Sequence, residues 1–407
     1  MPAISHDAIL DAIDPEQVIS LTQRLVRCRS VNDPAHGGTE ADAAMLVAEE
    51  MRRFGWEPMI EEVRPGRPNV IAVLEGSAPG PHLIFEGHTD VVSEGDPAQW
   101  RFDPFSGELV EGRILGRGSA DMKAGVAAML HAAHALERSG RLRGRLTVAA
   151  LVDEEELMLG VKDFVARGHA DGATGAIVLE PEALEVCLVS KGAMRVEFRF
   201  QGTIAHGAMP RKGANAISAL GAFLASVAEL EAALGAAHGE HPLLGELYLT
   251  PTVVRAGERV QLNVLPSEAV VDLDIRTIPG VGHAELLAEL AERAHAIGER
   301  HRTPASYEVI DDRPAIELAP AHPVARAMID AHAAVTGAPA RLGGVPGTTD
   351  GTILARDAGV PVVVYGPGGK WIAHQANEYV EATEVITATK VAAVAAATFL
   401  AGSTPER

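Results

Sequence analysis

Short apolar runs of strand length, each followed at once by an acid or a histidine, restrict this chain more than any other feature. His82–Phe85 runs into His88 and Asp90 in GHTDVV, Leu146–Val152 into Glu154 and Glu155 in LVDEEE, and Ala176–Leu179 into Glu180 in IVLEPE. Short runs that are apolar throughout suit strands covered on both faces, as in a parallel sheet. In open α/β sheets the loops at the carboxyl ends of strands converge, so side chains distant in sequence meet at one edge. Asp121 in GRGSADMKAG and His374 in AHQANEY extend the set to two histidines and several carboxylates. Imidazole and carboxylate suit zinc, manganese or cobalt, and a bridging carboxylate can hold two such ions about 3.5–4 Å apart.

Helical signals separate these runs. Asp14-Pro15-Glu16-Gln17 reads as an N-cap, a first-position proline and a capping-box Gln, and Thr39 with Asp42 as a second helix start. Asn69–Leu74 reads as a strand and Lys123–Ser139 as a helix closed by Gly140. The rhythm changes near Ser190. Val196–Phe200 and Val270–Arg276 alternate apolar and charged residues, as strands with one wet face do, and Ala214–Leu234 and His283–Ala296 read as helices. After them come a helix over Val324–Val335, a buried strand over Val360–Tyr365 and a closing helix over Thr383–Leu400. The expected fold is α/β: a catalytic domain with a mainly parallel sheet and helices on both faces, residues 1–190 and 304–407, interrupted by an α+β lid or dimerisation domain, residues 191–303.

The formal net charge of −20 argues against nucleic acid or an anionic membrane as a partner, because phosphate binding needs clustered Lys and Arg. An apolar fraction of 47% supports large cores. The two cysteines, Cys28 and Cys187, form no CxxC pair and suit buried thiols in a reducing cytoplasm. MPAISHDAILDAIDPEQ lacks the basic start and apolar core of a signal peptide, and no apolar stretch is read as approaching the roughly 18 residues of a membrane span.

Each motif has a plainer alternative. His88 and Asp90 fit a turn histidine and an Asp cap, or a metal ligand whose ring Asp90 orients across an extended segment. Asp121 fits an N-cap of the following helix, or a bridging carboxylate approached closely through Gly116 and Gly118. Glu154–Glu156 fits a solvated acidic run, but it follows LTVAALV, where one carboxylate can bind metal and its neighbour shuttle a proton. Glu180 alone is a strand-end carboxylate, and His374 alone a loop histidine in GPGGKWIAHQ.

Taken together, GHTDVV, DPFSGELVEGRILGRGSADMK, DEE, EPE, AHGAMPRKGANAI, NVLPSE, DIRTIPG, GTTDG and AHQANEYV resemble the metallopeptidase family of acetylornithine deacetylase, succinyl-diaminopimelate desuccinylase, aminoacylase and glutamate carboxypeptidase. The resemblance runs from about His88 to the C-terminal helix with the motifs in family order. It implies an N-acyl amino acid deacylase or related amidohydrolase with two divalent cations, Zn2+ first and Co2+ or Mn2+ as alternatives. A carboxypeptidase or dipeptidase is the rival within the family, and a non-catalytic binding relative the rival outside it. The resemblance also implies roles. His88 and Glu180 hold one ion, Glu155 and His374 the other, and Asp121 bridges. Glu154 is the general base, which takes a proton from the attacking water and returns it to the leaving amine. His206 reaches across a homodimer formed by the inserted domain to the oxyanion of a small amide substrate. Asn263 and Arg276 contact substrate, and Gly347, Thr348 and Thr349 line its far end, where backbone N–H groups can take an anion. For Arg276 a salt bridge to Asp272 or Asp274 is the plain alternative. Three positions depart from the family pattern: Ala124 and Leu157 stand where many relatives carry Gly, and Thr352 where desuccinylases tend to carry Arg.

Overall fold

The computed structural model describes residues 6–33 and 37–402. The first five residues, on which part of the signal-peptide reading rests, lie outside the described residues. The chain divides into two compact units. One holds the chain up to Leu188 together with Leu318–Gly344 and the residues from Thr349 onward; the other holds Val189–Glu317 and Val345–Thr348.

After a short helical turn at Asp7–Leu10, the first unit continues with helices α1 (Pro15–Arg27) and α2 (Ala41–Arg53) and strands β1 (Met59–Arg64), β2 (Arg67–Glu75) and β3 (His82–His88). Helix α3 (Ala124–Arg138), strand β4 (Arg145–Leu151), helix α4 (Leu159–Ala166) and strands β5 (Gly175–Val178) and β6 (Val186–Ser190) follow. The inserted unit contributes β7 (Gly192–Gln201), α5 (Ala216–His238), β8 (Tyr248–Ala256), β9 (Glu268–Thr277), α6 (His283–His301) and β10 (Ala305–Arg313). The first unit then resumes with α7 (Pro323–Thr336), β11 (Leu342–Val345), α8 (Asp350–Ala358), β12 (Val362–Val364) and α9 (Ala382–Leu400).

The large sheet has the order β1-β2-β4-β3-β5-β12-β6, with β11 beside β6. Its centre, β4-β3-β5-β12, is parallel, while the flanking pairs are antiparallel. The central strands are the mainly apolar runs that burial on both faces favours, with Glu86 of β3 and Thr147 of β4 buried among them. Helices α1, α3, α7 and α9 share one apolar cluster against the sheet, rich in alanine, which lets helix axes approach closely. Helices α4 and α8 pack on each other outside that cluster. Gly125 shows how tightly α3 is seated: a Cβ there would lie 2.0 Å from the carbonyl oxygen of Leu179, just past β5. This contact fixes the start of α3, and the turn before it, over the strand end that leads to Glu180.

The inserted unit has a four-stranded antiparallel sheet, β8-β9-β7-β10, with α5 and α6 packed on its apolar face through Phe198, Phe200, Phe223 and Leu290. It extends beyond the 191–303 boundary read from sequence, because β10 pairs with β7 and belongs to this sheet. The edge strands β8 and β10 are mostly exposed and their burial does not alternate, so the short strand-like stretches in their sequences mark no buried face. The membrane reading also needs correction. Helices α5 and α9 are long and apolar enough to cross a membrane by length and composition, because alanine-rich helices reach that threshold without a run of large apolar residues. Core helices pass the same test, and α9 is mostly buried in its own unit.

Candidate metal centre

The first unit brings together, at one edge of its sheet, the side chains that end its central strands. His88 is the last residue of β3, Glu154 and Glu155 follow β4, Glu180 follows β5, and His374 lies in the loop after β12. Asp121 comes from the turn before α3. Its φ of −113° and ψ of 101° are non-helical and α3 has no side-chain cap there, so the capping alternative fails. Asp121 instead lies between the two histidines: Oδ1 is 3.1 Å from His88 Nε2, and Oδ2 is 3.3 Å from His374 Nε2. His88 Nε2 is also 3.6 Å from Glu180 Oε1, and His374 Nε2 is 3.0 Å from Glu155 Oε2. Donor atoms of His88, Asp121 and Glu155 fall within 4.8 Å of one another, as do those of His88, Glu154 and Glu180.

Crowding of buried acids sets the electrostatics. Burial pushes the Glu154 and Glu180 carboxyls well above the usual carboxylate range, and neighbouring acids add to it. Burial and Asp121 together raise Glu155. For Asp121, burial opposes the charge, but hydrogen bonds from His374 and His88 outweigh it and hold the carboxyl well below its usual range. Hydrogen bonds to Asp121 and Glu155 push His374 up to about 11. For His88, burial works against protonation, yet Glu180, Asp121 and Asp90 overcome it and raise the imidazole well above its ordinary value. The chain by itself answers this concentration of negative charge with protons. Divalent cations answer it with ligand bonds, and carboxylate and neutral imidazole at this spacing are the donors they take. The residues therefore fit a pair of such ions with Asp121 between them.

Residues 84–398 match the peptidase family M20/M25/M40. The chain belongs to that family. It is a hydrolase of amide bonds from a metal-dependent family, as the sequence resemblance implied. Among curated relatives, a probable succinyl-diaminopimelate desuccinylase of Staphylococcus epidermidis is 26% identical over 404 residues, covering 91% of this chain and 95% of its own. An N-formyl-4-amino-5-aminomethyl-2-methylpyrimidine deformylase of Bacillus subtilis is 28% identical over 402 residues, covering 92% and 93%. The fold matches an M20 family metallo-carboxypeptidase from Sulfolobus solfataricus with a TM-score of 0.76, at 18% identity over 94% of this chain and 99% of that one. It also matches a dinuclear metal binding peptidase of the M20 family from Bacillus subtilis with a TM-score of 0.70, at 16% identity over 95% and 98%.

Around the M20 site stands a second layer that sequence reading caught only in part. Asp90 is 2% exposed; its Oδ1 accepts the Glu154 N–H (3.2 Å) and its Oδ2 the Glu155 N–H (3.1 Å). The Asp90 carbonyl oxygen lies 3.0 Å from His88 Nδ1 and Oδ1 lies 3.5 Å from it, so the ring is oriented chiefly through the backbone. Glu378, not singled out from AHQANEY, accepts the N–H groups of Ala120 (2.9 Å) and Asp121 (3.1 Å) and pairs with buried Arg117. Burial pushes the Glu378 carboxyl up to about 7. Glu86 and Asp350 are also buried beside the site, and burial, with Asp350 adding to it, pushes the Glu86 carboxyl well above the usual carboxylate range. The available clue to Glu86 is an acid inside the apolar run HLIFEGH.

The expected substrate residues fare unevenly. In the inserted unit, His206 and Asn263 meet: short strands Ala205–His206 and Val264–Leu265 pair, and Asn263 Nδ2 lies 3.4 Å from His206 Nε2 on an exposed surface. The guanidinium of Arg276 does not stand free. Asp274 binds it with both oxygens, at 2.6 and 3.1 Å, so the salt-bridge alternative describes this structure. The Thr348 hydroxyl accepts from Arg313 Nη1 at 3.3 Å. The Thr349 hydroxyl caps α8 by accepting the Gly351 N–H at 3.3 Å, and the Thr349 carbonyl accepts the Thr352 N–H. Nothing lies within 4 Å of a Cβ built on Gly347. Of the departures from family pattern, Ala124 and Thr352 are fully buried, while Leu157 is exposed.

Proposed function

We propose that this M20 hydrolase removes an acyl group from an N-acyl amino acid or related small amide, using two divalent cations, zinc first. The observation that carries the reading is Asp121 lying between His88 and His374, one oxygen to each, with buried Glu154 against the same cluster. His88 and Glu180 would hold one ion, Glu155 and His374 the other, and Asp121 both. Bound there, the ions supply Lewis-acid polarisation of the amide carbonyl and a lowered pKa for water. Glu154 takes the proton of the attacking water and delivers it to the leaving nitrogen, a role open to a buried carboxyl beside the ligands whose pKa burial raises above the usual carboxylate range. Asp90 holds the backbone that aims Glu154 and Glu155. Asn263 and His206 form a pair able to donate to a developing oxyanion.

A second copy of the chain fits as the partner through the inserted unit. Strand β8 is a sheet edge with Val253 and Val254 exposed, and the loop leading to Asn263 carries Val260 and Leu262 at about nine-tenths exposure (90% and 91%). The unpaired thiols of Cys28 and Cys187 fit a reducing, cytoplasmic setting. The named activities of the relatives, a desuccinylase and a deformylase, favour deacylation over peptide cleavage. Thr352 is neutral and buried, which disfavours a succinyl group held by a charge at that position.

Elemental analysis and a substrate panel test the reading together. Two divalent ions per chain are expected, with formyl- or acetyl-amino acids hydrolysed about tenfold or more faster than dipeptides. Faster turnover of dipeptides would replace the deacylase reading with a dipeptidase. Two bound ions with no hydrolysis across the panel would leave a binding protein.

A further inference from the structure

Between Val152 and Gly160 the chain leaves β4, presents Glu154 and Glu155, and closes on itself. The Gly160 N–H donates to the Val152 carbonyl at 3.0 Å, and the Met158 N–H to that of Asp153 at 2.6 Å. A Cβ on Gly160 would lie 2.3 Å from the Val152 carbonyl oxygen, so only glycine closes the loop. Asn69 of β2 clasps both ends: Nδ2 donates to the Gly160 carbonyl at 2.8 Å, and Oδ1 accepts the Val152 N–H at 3.1 Å. Inside, Asp153 sits at φ +68°, a left-handed conformation uncommon outside glycine that aspartate adopts more readily than most residues when its side chain is held locally. Its Oδ2 accepts the N–H groups of Leu157 and Leu159, each at 3.2 Å, and its Oδ1 lies 2.6 Å from Arg67 Nη2. Arg67 is itself fixed. Its Nε donates to both oxygens of Glu40 at 2.9 and 2.8 Å, and its Nη2 to Oε1 at 2.5 Å. Glu40 stands at the N-cap position of α2 yet makes no cap bond, its carboxylate being turned to Arg67. All three side chains are buried.

We propose that Arg67 is a positioning residue for catalysis: held by Glu40, it pins Asp153 in its left-handed conformation and so sets the direction in which Glu154 leaves the backbone. The inference rests on Glu154 being the base. Asp90 grips the Glu154 and Glu155 N–H groups from one side, and Arg67 grips the preceding residue from the other. A rigid guanidinium fork can serve Glu40 and Asp153 together at fixed geometry, whereas a lysine ammonium is a single flexible point. Stability alone is a weak reason for the triad, because apolar residues of similar volume often match or exceed a buried ion cluster.

The test compares Arg67→Lys, Asp153→Asn and a variant that removes every charge of the triad, Arg67→Met/Glu40→Leu/Asp153→Asn. Leu136→Ala, in the core of the same unit, controls for destabilisation, and Glu154→Gln tests the base separately. For each metal-loaded protein, kcat, KM, ion content and thermal midpoint are measured. Arg67→Lys and Asp153→Asn are expected to keep two ions and a KM within about twofold while kcat falls about 10- to 100-fold, the scale of a misplacement near 1 Å. The triple variant is expected to fold stably and remain slow, which keeps the inference testable where a single variant is insoluble. Leu136→Ala is expected to lose stability with kcat unchanged. Wild-type kcat in the triple variant, or single variants that lose only stability as Leu136→Ala does, would overturn the positioning role. Wild-type kcat in Glu154→Gln would overturn the base assignment beneath it, a distinguishable result.

Discussion

Replacing Asp90 by asparagine keeps size and shape yet should damage the site, because the two carboxylate oxygens do different work. Oδ1 accepts the Glu154 N–H at 3.2 Å and Oδ2 the Glu155 N–H at 3.1 Å, in a position 2% exposed. An asparagine offers one acceptor oxygen; its NH2 must then face the other backbone N–H, donor against donor. Leaving one buried donor unsatisfied costs about 1–3 kcal/mol. If the loop yields to relieve that clash, Glu154 or Glu155 moves, and the same energy appears as a fall of about 5- to 150-fold in ion affinity or kcat. Isothermal titration of Zn2+ into chelator-stripped protein, with kcat on the best substrate of the panel, separates the two losses. An Asp90→Asn protein with ion affinity, kcat and thermal midpoint all close to wild type would refute the view that both oxygens are committed to this loop.

Three further outcomes are expected. Glu154→Gln should retain both ions in elemental analysis while kcat falls about 10²- to 10⁴-fold, the range for loss of a general acid–base; near wild-type turnover would exclude the base role. His131, buried with Nε2 unpartnered and held down to about 4 by burial, binds no proton in the fold as pH drops from about 6.5 to 4, whereas the unfolded chain does. Stability is therefore lost through that window, by about 3 kcal/mol in total, and denaturant titrations of His131→Leu should show a flatter acid limb. Mixing Glu154→Gln with His206→Ala protein should regenerate activity through hybrid dimers; none after demonstrated subunit exchange would count against His206 acting across a dimer.

What could be read from the chain, and what could not, follows from where each residue's neighbours are buried. Strands β3, β4 and β5 are buried on both faces, so they are legible as apolar runs, and the side chains at their ends are legible as His88, Glu154, Glu155 and Glu180. Strands β8 and β10 lie at sheet edges with most residues exposed, so although they carry β-branched and aromatic residues they lack the buried apolar run that marks the central strands. Helix α8 is short and begins at GTTDG, which reads equally well as a turn. The same physics divides the site. The inner side chains are announced by glycines and strand ends close by in sequence, whereas Arg67, Glu40 and Glu378 reach the site through partners far along the chain. A charge within or beside an apolar run is the one local trace such residues leave, as Arg67 does before PNVIAVL and Glu86 within HLIFEGH. A charge placed there costs desolvation unless a partner or an ion meets it, so each marks a point where tertiary structure must supply one. For Arg67 the partners are Glu40 and Asp153. Glu86 lies beside Asp350, and burial with that neighbouring carboxyl pushes Glu86 well above the usual carboxylate range. A buried acid of this kind meets its desolvation cost by holding a proton rather than by carrying an unmet charge.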